Sequence, residues 1–535
     1  MYILKRIQDS HIEIFLKLCT IFGIILHIVP YLYNRSLWVD EAMLVSSICT
    51  RSLSELVASP LDWGQSAPVG YLFIVKIITM VWNTSEAALR IFSLFSAIVC
   101  IFIIYALLKD KVAPKFTLWA TAVFSLTNGY IYYRNEAKSY MSDNMFCLLT
   151  LLIWQKYQEN KLAFYQLCLI YAVLIWFSFS SVFFIGACMM IESIHQIRTN
   201  RIMKSLLSNA FTSSLVLTSL LAYYALWLST TSTNVGEAGY WALLKFPILP
   251  TSLNNLKLVI RMLSEFCVFY SAIAIIFYTI VLFYLFLCIK QKKDISKIIL
   301  PYAVAFFLLL IASSMGYYPI QGRILQMYPL IALIIVAFCS NEVSNHHLKI
   351  GHKSILFFIQ LLLFLILIFV GFHGCRNLFA KNVYKNGAEV FASIDFIKKN
   401  LKDNDYIYVS RDAIPIYSYK TNYRVSFSDL DKLDSHKNDN DLLSSLPCII
   451  DKTIYGQKMI KYQYMIPYDY TADIIEQNVL QDANIISKYE SVYLFTSHGA
   501  SGISSIIKIL NHFGTVKTVV DTYNTRLYHF VRNNS

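Results

Sequence analysis

The sequence predicts a polytopic α-helical membrane protein of about eleven spans with a C-terminal α/β domain, and three observations support this prediction. Of the 535 residues, 56% are hydrophobic and only 15% are charged, whereas soluble domains have about a quarter of their residues charged. Apolar runs of about 20 residues, long enough to cross a bilayer as helices, recur along most of the chain. Lys and Arg cluster in the short loops between these runs. The net charge of +13 therefore indicates membrane orientation rather than binding of nucleic acid.

The basic loops also predict the topology of the spans. Lys5, Arg6 and Lys17 place the N-terminus in the cytoplasm, and the first span is residues 12–33. Residues 69–82 are short for a span and contain Lys76, so we expect an interfacial or re-entrant helix there. The alternative, a true span, would invert everything after it. We expect the other spans at residues 89–108, 116–131, 145–154, 162–176, 182–194, 205–228, 269–289, 298–313, 324–339 and 355–372, with an external segment at 229–265.

The composition changes near residue 376, which divides the chain into a transmembrane domain (1–375) and an extracytoplasmic α/β domain (376–535). Strands are expected at 405–410, 491–496, 515–523 and 527–531, and helices at 388–401 and 502–513. Strands that alternate with helices indicate a partly parallel sheet. The stretch Ser497-His498-Gly499-Ala500-Ser501-Gly502 lies at a strand-to-helix junction. Anions often bind at such junctions, and a plain structural turn is the simpler interpretation.

Two adjacent carboxylates, Asp40 and Glu41, follow directly after the first span. One interpretation is structural: Asp40 caps a following amphipathic helix, residues 41–57, where the helix dipole favours an anion. The other interpretation is chemical, because three further polar stretches are predicted on the same outer face.

The first of these stretches is residues 64–71, which contain Gln65 and open the short helix with a proline. The second is residues 132–140, which contain Arg134, Glu136, Lys138 and Tyr140 and lead to Asp143. On a continuous helix Arg134 and Lys138 share one face, and Glu136, Tyr140 and Asp143 share another. The third is residues 317–323, a short loop that ends in Arg323.

Carboxylates and cations together at a membrane surface suit transfer of a sugar from a polyprenyl phosphate. Cleavage of the bond between anomeric carbon and phosphate needs cations to stabilise the leaving phosphate. It also needs a carboxylate to take a proton from the acceptor hydroxyl. The structural alternative is that Arg134, Lys138 and Arg323 anchor helices in the headgroups by snorkelling.

Four stretches, in order, resemble motifs of the GT-C class of membrane glycosyltransferases, which includes protein O-mannosyltransferases and the lipid A aminoarabinose transferase. Residues 38–42 resemble the Asp-Glu motif of the first outer loop, and residues 66–71 resemble a His-Pro-Pro-Leu-Tyr-Tyr stretch. Residues 86–93 resemble the Arg-Leu-Pro-Ser entry to the second span, and residues 133–140 resemble the second-loop motif. The family's His is missing: Gln65 and Ser66 stand nearby, and only Pro68 remains of the two prolines.

The resemblance implies a GT-C-like, inverting glycosyltransferase that uses a polyprenyl-phosphate-linked sugar donor. It implies that Asp40 is the general base and that Glu41 orients it or the acceptor. Arg134, Lys138 and Arg323 would bind the lipid phosphate, and Glu136 would position the sugar or a cation, with Tyr140 and Gln65 also in the site. No Cys/His metal spacing occurs, and members of the class differ in their use of a divalent cation, so the metal stays open.

The expected partners are this donor, membrane lipids and a glycan, lipid or protein acceptor, with no nucleic acid. The expected location is a bacterial inner membrane, with the C-terminal domain outside. Two rivals remain. A transporter or flippase of lipid-linked sugars would place ionisable residues inside the spans, and they are rare there. A polysaccharide polymerase or ligase would have a larger central outer loop than residues 229–265.

Overall fold

A computed structural model describes most of both predicted domains. The described residues are 2–61, 65–198, 202–228, 299–315, 317–320, 323–345, 352–379, 390–402, 404–410, 413–421, 451–454, 457–462, 479–480, 482–497, 502–522 and 524–533. The chain forms two compact units, which we describe separately. Unit 1 comprises Met1–Tyr33, Val57–Pro60 and Ser66–Ala380, and unit 2 comprises Asn34–Leu56, Leu61–Gln65 and Lys381–Ser535.

All regular secondary structure among the described residues of unit 1 is helical. Its helices are α1 (Tyr2–Leu32), α4 (Val69–Trp82), α5 (Glu86–Leu108), α6 (Pro114–Leu126), α7 (Asn128–Tyr133), α8 (Tyr140–Gln158), α9 (Phe164–Leu174), α10 (Ser181–Arg198), α11 (Ile202–Tyr223), α12 (Ile299–Ser314), α13 (Met327–Asn345) and α14 (His352–Phe379). The short helix α3 (Glu55–Ala58) joins the two units in sequence, and α2 (Val39–Thr50) belongs to unit 2. A 3₁₀ turn follows α9, and a π-helical turn follows α11.

Among the described residues, Asp9–Leu32 and Glu86–Leu108 are long and apolar enough to cross a bilayer. Seven further apolar helices have 10–17 residues. The expected helix at 69–82 is present with those bounds. The external segment 229–265 and the span 269–289 lie outside the described residues. The count of eleven spans and the orientation of the termini stay predictions.

Helix α6 is the centre of unit 1. Every residue from Phe116 to Leu126 is buried, and α6 packs against α1, α5, α13 and α14. Gly23 of α1 permits a close approach, because a Cβ there would overlap the side chain of Ser125. Gly374 of α14 does the same, since its Cβ would lie 2.6 Å from the carbonyl oxygen of Leu126. The two glycines therefore let both neighbours pack directly on α6.

Two of the basic stretches that were predicted to share a side, residues 109–115 and 156–161, lie together at one end of the helices. Lys111 Nζ, in the loop after α5, lies 3.1 Å from Glu159 Oε1, just after α8. Hydrogen bonds from Lys161 and from Lys111 lower the pKa of Glu159 to about 2. At the same end, Lys115 Nζ of α6 lies 3.1 Å from Asp9 Oδ1 of α1. The ends of four helices therefore lie together, as the charge pattern predicts.

Unit 2 contains a six-stranded mixed sheet with the order β2-β3-β1-β4-β6-β5. Its strands are β1 (Tyr406–Val409), β2 (Asp451–Ile454), β3 (Gln457–Tyr462), β4 (Ser491–Ser497), β5 (Gly514–Thr522) and β6 (Thr525–Arg532). Its C-terminal helices are α15 (Phe391–Asn400), α16 (Ile414–Thr421) and α17 (Ile503–Leu510). Strand β1 pairs in parallel with β3 and β4, and the other pairs are antiparallel. The described strands include those predicted at 405–410, 491–496, 515–523 and 527–531.

One sheet face of unit 2 carries a compact apolar core. Tyr408 of β1 and Leu494 of β4 pack against Ile506 and Leu510 of α17. Phe530 of β6 completes this layer. The helix α2 packs against α16, so the segment with the two adjacent carboxylates is part of the same unit as the sheet.

Two local predictions are wrong. The helix after Asp40 ends at Thr50 rather than at residue 57. The stretch 134–139 is not helical but separates α7 from α8, because Ser93 Oγ of α5 donates to the carbonyl oxygens of Glu136 (2.9 Å) and Lys138 (3.1 Å). In a continuous helix these carbonyls would accept hydrogen bonds from backbone amides of the same helix, whereas here they accept from a serine of another helix. The helix faces that Arg134 and Lys138, and Glu136, Tyr140 and Asp143, were expected to share therefore do not form.

The two ends of α5 provide a test of the topology. In a cysteine-depleted protein in intact cells, we expect Thr84→Cys, before α5, to react with a membrane-impermeant thiol reagent from outside. Lys109→Cys and Lys161→Cys, which follow α5 and α8, should react only after permeabilisation. All three positions are exposed. Labelling of Thr84→Cys and Lys109→Cys from the same side would show that α5 does not span the membrane.

Candidate functional site

Glu41 of unit 2 is a buried carboxylate that pairs with a buried arginine. Arg35 Nη1 donates to Glu41 Oε2 at 2.8 Å, and the two side chains are 4% and 0% exposed. The same Nη1 also donates to the carbonyl oxygen of Ser36 at 3.1 Å. A buried ion pair compensates for its desolvation only when the geometry is good and further hydrogen bonds exist. The contacts of Arg35 meet that condition and hold the segment 35–41 in a closed loop.

Glu41 also forms the N-terminal cap of α2. The backbone N–H of Trp38 donates to Glu41 Oε2 at 3.1 Å, and the N-cap residue of the helix is Trp38. The suggestion that Asp40 is the cap is therefore wrong, because Asp40 lies inside the first turn. Reading the cap from sequence favours the first acidic residue before an apolar run. Here the glutamate at the third helical position forms the cap, because its longer side chain accepts a hydrogen bond from the N-cap backbone N–H, as in a capping box.

Asp40 differs from its neighbour in exposure. It is partly exposed in the first turn of α2, whereas Glu41 is fully buried. A carboxylate in this position gains stabilisation from the helix dipole while it keeps contact with solvent. Of the two adjacent carboxylates, Asp40 is therefore the one that a substrate can reach.

Gln65 lies in the same unit as the two carboxylates. Its Nε2 lies 3.6 Å from Met43 Sδ of α2, which places the Gln65 side chain along the helix that begins at the acidic pair. Residues 62–64, which precede it, lie outside the described residues. The expectation that Gln65 belongs to the site stays a prediction.

The sheet domain supports α2 directly. Residues Glu41 to Ile48 are all buried, so the helix is enclosed on all sides. Ile416 and Tyr417 of α16, the helix that packs on α2, are buried as well. The C-terminal domain therefore forms part of the support that holds Asp40.

Arg134 of unit 1 is buried and bonded to backbone carbonyls. Its Nε donates to Ile131 O at 2.7 Å, and its Nη2 donates to Leu26 O of α1 at 3.0 Å. The side chain thus fastens the end of α7 to α1. Because a guanidinium carries five donors, this fastening is compatible with a further anionic contact, which stays a prediction.

The other predicted site residues of the second loop follow this arginine in the sequence. Glu136 and Lys138 are buried, and their carbonyl oxygens accept from Ser93. Tyr140, at the start of α8, is partly exposed, and its ring packs edge-on against Tyr133 with 5.5 Å between centroids. The loop therefore presents a fixed backbone.

One glutamine joins the loop that carries Arg323 to the helices on either side of the second loop. Gln326 Nε2 donates to Arg323 O at 3.0 Å, and Gln326 Oε1 accepts from Asn144 Nδ2 of α8 at 3.2 Å. Tyr130 Oη of α7 donates to Gln326 O at 3.0 Å. Arg323 itself is partly exposed. Gln326 thus connects the Arg323 loop to α7 and α8, and a shared site for the second and third stretches stays a prediction.

A polar cluster around Asp143 was not among the predicted site residues. Asp143 is buried at the start of α8, where Ser139 Oγ lies 3.3 Å from its Oδ2. Ser178 and the backbone amides of Phe179 and Ser180 also face its carboxylate. Ser180 Oγ lies 2.8 Å from Tyr318 Oη in the third stretch. The serine-rich run at 178–181 was the sequence signal for this cluster.

No group of three or more His, Cys, Asp or Glu side chains in the described part of the chain forms a metal-binding cluster. The described site residues instead form one acidic segment in unit 2 and one set of polar, hydrogen-bonded residues in unit 1. A partly exposed carboxylate can accept a proton, and Arg and Lys can stabilise phosphate oxygens.

Comparison with known proteins gives structural neighbours only. No protein-family model matches the chain, and no curated protein sequence matches it. A crystal structure of ArnT from Cupriavidus metallidurans bound to undecaprenyl phosphate aligns over 96% of this chain and 98% of its own, with 11% identity and a TM-score of 0.48. The apo state of that protein aligns over 95% and 97%, with 9% identity and a TM-score of 0.49.

A third neighbour is the Archaeoglobus fulgidus oligosaccharyltransferase in its apo form. It aligns over 97% of this chain and 74% of its own, with 9% identity and a TM-score of 0.48. These neighbours belong to the GT-C class that the sequence motifs resemble. Because the TM-scores are below 0.5, no conclusion about this chain's activity rests on the likeness.

The buried pair predicts a specific pattern of unfolding free energies. Glu41→Gln keeps an acceptor for the Trp38 amide but removes the negative charge from the buried ion pair with Arg35, so we expect a loss of about 3–5 kcal/mol. Arg35→Met should cost a similar amount, and the double variant should lose clearly less than the sum. The measurement is denaturant unfolding of the purified protein in detergent.

The matched control is the exposed ion pair Arg526–Asp521 of the same unit, whose side chains are each 59% exposed. Asp521→Asn should leave the free energy of unfolding almost unchanged, because solvent screens an exposed ion pair. Strict additivity of Arg35→Met and Glu41→Gln would contradict an energetic coupling between the two charges.

Proposed function

We propose that this protein is an integral-membrane glycosyltransferase that transfers a sugar from a polyprenyl-phosphate-linked donor to an extracytoplasmic acceptor. The observation that carries the proposal is the difference between the two adjacent carboxylates. Glu41 is buried and bonded to Arg35 and Trp38, whereas Asp40 is partly exposed on the same rigid turn. An enzyme that needs one carboxylate for proton transfer and a fixed support for it has this arrangement.

In the proposed reaction the acceptor hydroxyl attacks the anomeric carbon of the donor sugar. The bond between that carbon and the phosphate oxygen breaks, the proton of the hydroxyl passes to Asp40, and polyprenyl phosphate leaves. Attack on the face opposite the leaving group inverts the anomeric configuration. Glu41 orients Asp40 through the shared first turn of α2. Asp40 is thus the catalytic residue, and Glu41 and Arg35 are positioning residues.

The leaving phosphate gains negative charge, which cations of unit 1 would stabilise. We propose that Arg134, Lys138 and Arg323 supply these cations. Arg323 is the best candidate for direct contact because it is partly exposed, and Arg134 contributes charge while it holds α7 against α1. Glu136, Tyr140 and Gln65 would position the sugar or the acceptor.

The proposal also gives the C-terminal domain a role. Since α2 packs on α16, the sheet domain supports the helix that carries Asp40. This support is compatible with a further role in acceptor binding. The proposed location is the inner membrane, with this domain outside.

Replacement of Asp40 by Asn provides the main test. With a panel of undecaprenyl-phosphate-linked sugars and acceptor-containing membranes, we expect release of undecaprenyl phosphate to fall about 10²–10⁴-fold, because the base is lost. The isosteric amide should leave expression and unfolding unchanged. Asp110→Asn, an exposed aspartate in the loop after α5, is the control and should keep full activity.

Full activity of Asp40→Asn would rule out Asp40 as the base. A wild-type protein that moves the lipid-linked sugar across vesicle membranes, with no release of undecaprenyl phosphate, would favour the transporter rival instead.

Arg323 provides a second test, on donor binding. Arg323→Gln should raise the KM for the lipid-linked donor about tenfold, since a charge-assisted contact to phosphate is lost, with a smaller effect on kcat. Arg376→Gln, on the exposed C-terminal part of α14, is the matched control and should leave both parameters unchanged. An unchanged KM in Arg323→Gln would contradict a direct contact with the donor phosphate.

A further inference from the structure

The carboxyl edge of the two central parallel strands in unit 2 has the features of a ligand site. Strands β1 and β4 are adjacent and parallel, with Val409 opposite Phe495. Both strands end at the same edge, and α17 begins after β4 at that edge. In open α/β sheets, ligands bind outside the carboxyl ends of such strands.

The N-terminus of α17 presents backbone amides at this edge. Gly502 is the N-cap residue, in the left-handed conformation (φ 85°), and no side chain caps the helix. The first turn contains no acidic residue. Ser504 and Ser505 in that turn are exposed. The first amides of a helix carry the positive end of its dipole and have no partner within the helix.

A second observation, independent of the helix, points to the same place. Ser410, directly after β1, is 0% exposed, and its hydroxyl has no hydrogen-bond partner among the described residues. Its backbone N–H donates to Phe495 O at 2.9 Å, so it still follows the strand ladder. A buried hydroxyl without a partner is costly, so among the described residues this hydroxyl is left as a donor that a ligand at this edge can use.

Strand alternation shows which way this hydroxyl points. Side chains two residues apart lie on one face of a sheet, so Ser410 shares the face of Tyr408. Tyr408 packs with Ile506 and Leu510 of α17. Ser410 therefore lies on the sheet face that α17 covers, at the edge where α17 begins. Tyr408, two residues before Ser410, already has a hydrogen-bond partner, since its Oη donates to Asp482 Oδ2 at 2.9 Å.

We propose that the first-turn amides of α17 and the Ser410 hydroxyl bind a phosphate-type oxyanion. The helix terminus supplies donors and positive potential, and the hydroxyl supplies a further donor from the neighbouring strand. Residues 498–501, which connect β4 to the helix, lie outside the described residues, and the proposal does not use them. This site is separate in sequence from the acidic and cationic residues of the proposed transferase, and it does not depend on that activity.

Calorimetric titration of the full-length protein in detergent with inorganic phosphate tests the proposal. We expect saturable binding that weakens at least about tenfold in Ser504→Asp, because a fixed carboxylate in the first turn repels and replaces the anion. The same change stabilises the helix, so loss of binding cannot come from unfolding. Ser410→Ala should weaken binding several-fold without lowering thermal stability, since the hydroxyl it removes has no partner in the described chain.

Asn533→Asp is the matched control. It also adds one negative charge, but at an exposed position after the last residue of β6, at the opposite sheet edge from the proposed site. This variant should bind phosphate as the wild type does. Binding of dihexanoyl phosphatidate but not of inorganic phosphate, with the same sensitivity to Ser504→Asp, would support the site and identify its ligand as a lipid headgroup. Absence of binding for both probes at millimolar concentration would overturn the proposal, as would equal binding by Ser504→Asp and Asn533→Asp.

Discussion

Glu41 is a carboxylate without contact to water, and its pairing with Arg35 is the constraint from which the arrangement of the acidic segment follows. A buried charge without a partner costs several kcal/mol. The chain therefore closes the loop 35–41 so that the guanidinium and the Trp38 amide both reach Glu41. This closure fixes the first turn of α2 and leaves the side chain of Asp40 as the accessible carboxylate. A single electrostatic requirement thus separates two adjacent acidic residues into a buried support and an accessible carboxylate.

In unit 1, polar side chains at or near helix ends form hydrogen bonds to groups on other helices. Arg134 bonds the carbonyl of Leu26, Ser93 bonds two carbonyls of the second loop, and Gln326 joins α7, α8 and the Arg323 loop. Each contact gives a hydrogen-bond partner to a carbonyl or amide group, as groups at an interrupted or terminating helix require. The interruption between α7 and α8 is therefore stabilised, and it holds Glu136 and Lys138 in a defined loop.

The structure also changes the meaning of the domain boundary. By composition, the chain divides near residue 376, and everything before it reads as one transmembrane domain. In the structure, Asn34–Leu56 groups with the C-terminal residues instead, and α2 packs on α16. A catalytic aspartate supported by a C-terminal sheet domain would link the chemistry to whatever that domain binds. The oxyanion site at the edge of its sheet would give the domain a ligand of its own.

The sequence by itself determined the helical character of the first part, the helix at 69–82, four of the six strands of the C-terminal domain, and the proximity of the basic stretches 109–115 and 156–161. These features follow from hydrophobic periodicity and charge placement, which are local properties of the chain. The strands β2 and β3 were not predicted. The tertiary structure alone decided that Glu41 rather than Asp40 caps α2, that residues 134–139 are not helical, and that Asp143 lies in a serine cluster. Each of these depends on a partner distant in the chain or on the reach of a side chain, such as Ser93 for the second loop and Ser178 for Asp143. Such partners cannot be predicted from the spacing of residues along one helix or strand.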